Sequence, residues 1–113
     1  MNLRLIPMLL ACAWVTACAA SRERDAIRHG LLTTDIRQQA FLSVWGAPTR
    51  TSAVHSTGNE EIKAGFGFFF QGREQETYEI CNYESRRTVL VFDDHALVAW
   101  STPETVQELA APK

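Results

Sequence analysis

The chain has 113 residues, with 13 acidic against 11 basic side chains and a formal net charge of −2, which suits one small core and no more. A single domain is expected. That charge balance, with no basic run to overturn it, argues against a nucleic-acid-binding surface.

In chain order, residues 1–17 have the parts of an export signal: a positive start ending in Arg4, an apolar stretch over 5–15, and small residues before a cleavage point. The stretch is shorter than the roughly 20 apolar residues of a bilayer span, and Pro7 interrupts it. Val15-Thr16-Ala17-Cys18 then resembles the lipobox of bacterial lipoproteins, in which the Cys after the cut takes a diacylglyceryl group on its sulfur. The resemblance implies a signal peptide over 1–17 and a lipid, palmitate included, on Cys18. With Ala19 next and no Asp there, it also implies sorting to the outer membrane, on the periplasmic side.

Past Cys18 the chain divides into an expected tether over 18–27 and one domain over 28–113. Ser21-Arg22-Glu23-Arg24-Asp25 reads as too charged to pack, and a brief helix over 25–32 is expected to end near Gly30. Thr33, Thr34 and Asp35 offer N-cap chemistry to a stronger helix, in which Ile36, Ala40, Phe41, Val44 and Trp45 share one stripe. Gly46 supplies its left-handed end, and Pro48 stops it resuming.

Residues 49–64 read as irregular and lead into Gly65-Phe66-Gly67-Phe68-Phe69-Phe70-Gln71-Gly72. Three strands follow over 77–84, 88–92 and 97–100, joined by turns at Arg86-Arg87 and Asp93-Asp94-His95. They make an antiparallel meander. Thr102 as N-cap and Pro103 at the first helical position predict a last helix over 105–110.

The order of these elements resembles the SmpA/OmlA domain of small outer-membrane lipoproteins. The residues that carry the resemblance lie at 35–48, 78–83, 89–94 and 97–100, and include a Trp-Gly-x-Pro corner at Trp45 to Pro48. It implies an α+β domain, two N-terminal helices packed on a three-stranded antiparallel meander. It also implies a non-enzymatic binding or scaffolding lipoprotein for outer-membrane protein assembly or envelope integrity, touching the membrane through its lipid and holding a protein partner. A small periplasmic inhibitor or ligand-binding module is the alternative.

No cofactor or metal is expected, because His29, His55 and His95 lie far apart and without close Cys or His neighbours. Asp93-Asp94-His95 reads as a solvated turn rather than an acid–base group. Cys81 has no partner thiol in the chain once Cys12 leaves with the signal and Cys18 takes lipid, so it reads as a small apolar strand residue. An intermolecular disulfide and a nucleophilic role are its alternatives. Phe66, Phe68, Phe69 and Phe70 are the expected binding residues: as an exposed contact loop they would tolerate replacement by serine, and as an edge strand filling the core they would not.

Overall fold

The computed structural model describes residues 19–58, 60–101 and 106–108. The signal segment, Cys18 and the expected cap at Thr102 and Pro103 lie outside them. Helix α1 spans 19–28 and α2 spans Gln38–Trp45. The strands are β1 (Arg50–His55), β2 (Glu61–Gly65), β3 (Phe68–Gln71), β4 (Thr77–Tyr83), β5 (Thr88–Asp93), β6 (Ala96–Ser101) and β7 (Val106–Glu108). Five of them form an antiparallel sheet in the order β1-β4-β5-β6-β7, and β2 pairs with β3 in a separate hairpin. The domain is α+β, and the expected meander is present as β4, β5 and β6.

Central strand β5 explains the layering. Val89, Leu90, Val91 and Phe92 are all at most 1% exposed, a continuous apolar run that only a sheet covered on both faces can hide. On one face Leu90 and Phe92 join Cys81, Tyr83, Leu97 and Trp100 beneath Ile27, Ile36 and Phe41 of the helical layer. On the other, Val89 and Val91 join Tyr78, Ile80 and Ala99 beneath Ile62, Phe68 and Phe70 of the hairpin. The molecule therefore has three layers, not the two of helices on a meander. In β6 the pairing slips between Val91↔Ala99 and Phe92↔Leu97, leaving Val98 as an extra residue. That bulge turns Leu97 and Trp100, three positions apart, onto the same helical face.

Several expectations change. Residues 19–24, expected as a charged tether, are helical together with 25–28, and Ile27, also placed in the tether, is only 2% exposed in the core. Glu23 holds this helix to the domain through Arg37 at 2.9 Å. Helix α2 begins after Arg37 without a side-chain cap, so the Thr33 to Asp35 cap does not form; Asp35 instead donates its N–H to the Leu97 carbonyl at 2.8 Å. Segment 49–64 contains β1 and all of β2 but its last residue, Gly65. Within the helix expected over 105–110, the described residues 106–108 form β7, which pairs with Ala99 to Ser101 of β6.

The corner after α2 is built as expected in place and differs in conformation. Gly46 has φ 79 and ψ −165, a region beyond the left-handed helical one and essentially restricted to glycine. The Tyr83 hydroxyl donates to its carbonyl at 2.9 Å, tying the corner to β4. A β-branched side chain there costs about 1–3 kcal/mol. Gly46→Val is expected to melt several degrees below Ala47→Val in a thermal scan. Equal melting temperatures would contradict the strained corner.

Candidate interaction surface

The hairpin sorts its phenylalanines by alternation along β3 and, for Phe66, by its place in the turn. Phe68 and Phe70 point inward at 1% and 2% exposure, whereas Phe66 and Phe69 are 58% and 46% exposed. The four expected binding residues are thus two pairs, and Phe68 and Phe70 are corrected to core residues. Phe70 packs edge-on against Tyr78 with ring centroids 5.0 Å apart, which fixes β3 to β4.

Phe66 and Gly67 form the hairpin tip, with φ of 53 and 78. A two-residue turn of this kind favours Asn, Asp or Gly at its first position, and a large aromatic there carries about 1–2 kcal/mol of backbone strain. Next to the tip, a cleft of about 400 Å³ runs between Phe66 and Gly65 on the hairpin and Arg50 and Ser52 on β1. Asn82 also lines it, and its Oδ1 is buried with no hydrogen-bond partner among the described residues. Gly65 is required for this close approach, because a Cβ at that position would lie 2.9 Å from Asn82 Oδ1.

A second cleft, of about 430 Å³, opens on the other face of β1 between Ala53, Thr77, Glu79, Asp94 and His95. Thr51 and Ala53 of β1 also line it, with small side chains. Among the described residues Glu79 makes neither an ion pair nor a hydrogen bond, so its partly buried carboxylate faces the cleft without a counter-charge.

The titratable groups are dispersed around this frame. His29 Nδ1 is 2.8 Å from the Asp25 carbonyl, His55 Nδ1 is 3.0 Å from Thr77 Oγ1, and His95 Nδ1 is 3.1 Å from Gln38 Oε1. Among the described residues no three or more His, Cys, Asp or Glu side chains are placed to hold a metal ion. Cys81 is buried and free, with Gln38 Nε2 donating to its Sγ at 3.7 Å. Burial, with Glu79 nearby, pushes its thiol up to about 11, so it is neutral at pH 7 and a poor nucleophile. The small-apolar-residue description fits it.

Asp93-Asp94-His95 does form the turn between β5 and β6, with Asp94 and His95 at φ 53 and 67. Asp93 looks away from it. Burial first, and then the hydrogen bond and charge of Glu76, hold the Asp93 carboxyl above its ordinary value, while Arg73 at 3.6 Å offsets part of the shift. The fold therefore binds this proton more tightly than the unfolded chain does. Its contribution is full below the ordinary carboxylate value and is lost as pH rises through the raised one. Asp93→Asn is expected to gain stability relative to the parent over that rise and then level off, as read from denaturant midpoints at several pH values. Parallel curves for the two proteins would contradict it.

Among the described residues no helix is long and apolar enough to cross a membrane. Comparison with family models, curated proteins and solved structures finds no match to this chain.

Proposed function

We propose that the chain is a lipid-anchored, non-enzymatic binding or scaffolding module of the bacterial outer membrane, facing the periplasm and serving outer-membrane protein assembly or envelope integrity. The lipobox residues Val15 to Cys18 support the anchor. From residue 19, the first described, the chain is helical as far as the buried Ile27 and beyond, and those nine residues cover about 14 Å at 1.5 Å per residue. A lipid on Cys18 would hold the domain close to the bilayer.

The observation that carries the binding reading is Phe66. Its aromatic ring is exposed at a turn position where Asn or Gly would sit without strain, a broken local rule of the kind found at functional or strained sites. Docking recovers about 25 cal/mol for each Å² of apolar surface removed from water.

The experiment has two arms. Cells fed labelled palmitate should give a labelled band that disappears with Cys18→Ser, since two or three acyl chains at about 0.8 kcal/mol per methylene anchor durably. Phe66→Asn should raise stability by about 0.5–1 kcal/mol while weakening partner capture from the membrane fraction. Labelling that survives Cys18→Ser rejects the anchor, and unchanged capture with Phe66→Asn rejects the contact.

A further inference from the structure

We infer that the open edge of β1 is a strand-addition site for an extended segment of another protein carrying a Lys or Arg side chain; the inference rests on the reading of the domain as a binding module. Beyond β1 the five-stranded sheet has no further strand among the described residues. The Ser56 N–H donates to the Glu76 carbonyl at 2.9 Å, and the Thr49 N–H to the Asn82 carbonyl at 2.7 Å. Together with the pairing Arg50↔Asn82 to His55↔Thr77, these bonds fix which residues face β4. Arg50, Ser52 and Val54 exchange bonds with β4, whereas Thr51, Ala53 and His55 turn their N–H and C=O groups outward.

An unpaired row of this kind is a template for another strand. Natural edges are blunted by proline or by charge, yet residues 51–54 of β1 are Thr, Ser, Ala and Val. The two clefts described above flank this strand, one on each face. An added strand would send alternate side chains into them, main-chain bonds giving affinity and pockets giving specificity.

Charge selects the occupant. An incoming residue opposite Ala53 points to the face that holds Glu79, directly across β1 from Ala53, and a long cationic side chain passes over the small Ala53 to reach the unpaired carboxylate and Asp94. The next residue, opposite Ser52, points to the other face, where Phe66 offers an apolar wall. The opposite edge of the sheet is β7.

The probe is a capped, fluorescent hexapeptide, Thr-Val-Lys-Phe-Thr-Val, titrated by anisotropy against the full chain in detergent micelles. Saturable binding is expected, about tenfold weaker when Glu replaces Lys and lost when the alternate amides that face β1 are N-methylated. Ala53→Pro removes an outward donor and no bond to β4, so it should abolish binding with the far-UV spectrum unchanged. Hydrogen exchange on the unmodified chain gives a readout independent of that variant: the Thr51, Ala53 and His55 amides should slow when peptide is added. Equal binding of the Lys and Glu peptides, or unaltered exchange at those three amides, would overturn the proposal. So would a dimer in sedimentation that Ala53→Pro dissolves, which would assign the edge to a second copy of the chain. Palmitate labelling and capture through Phe66 can each succeed while this test fails, so the two readings fall separately.

Discussion

Replacing Phe68 or Phe70 with alanine is expected to destabilise the domain by about 3–5 kcal/mol each, whereas Phe69→Ser on the same strand should change stability by less than about 1 kcal/mol. Both inward rings are at most 2% exposed and lie in the core between hairpin and sheet, so truncation leaves a cavity that β2 and β3 can only partly close. Chemical denaturation measures the difference directly. A triple serine variant of Phe68, Phe69 and Phe70 should therefore unfold, the opposite of what a contact loop would do. Near-parent stability for Phe68→Ala would contradict the three-layer arrangement.

Phe41→Ala is the matching expectation on the other face. Phe41 is fully buried and meets Trp45 and Phe92 edge-on at 5.1 and 5.7 Å between ring centroids, so its loss should also cost about 3–5 kcal/mol. Phe41 and Phe68 belong to different clusters on opposite faces of the sheet, and their effects should add to within about 0.5 kcal/mol. A small domain has about 5–15 kcal/mol in total. The double variant is thus expected to be largely unfolded without denaturant, and a cooperative transition near the parent midpoint would refute the two-core description.

The parts legible in the sequence are those whose signal is local. The stripe Ile36, Ala40, Phe41, Val44 and Trp45 follows helical periodicity and packs as expected, and the meander shows in its short polar turns. The β5 run looked like an ordinary strand. Its four consecutive apolar residues already implied cover on both faces, and this was the available sign of the hairpin layer. Strand β2 hid because Ile62 is its single large buried side chain and its other residues are Glu, Lys, Ala and Gly. Strand β7 was masked by the strong helix-start chemistry of Thr102 and Pro103, against which pairing with β6 is a long-range effect that no local pattern records. The bulge at Val98 likewise depends on long-range packing, the helical layer taking Leu97 and Trp100 while Val98 and Ala99 face the hairpin.

The candidate surface was only half legible. The glycines around Phe66 announce an unusual backbone, yet the turn position is what leaves Phe66 exposed, and alternation along β3 turns Phe69 outward and Phe68 and Phe70 inward. The cleft between Glu79 and Asp94 left no trace in the sequence at all, since β1 brings Ala53 beside Glu79 only through sheet pairing.

The most direct test of a lipid-tethered binding module is photocrosslinking in intact cells from a photoreactive side chain placed at Phe66, compared between the parent chain and Cys18→Ser. A discrete adduct in the membrane fraction, lost or strongly reduced with Cys18→Ser, is the result expected. Absence of any adduct from that position, or the same adduct at the same yield in Cys18→Ser cells, would contradict it.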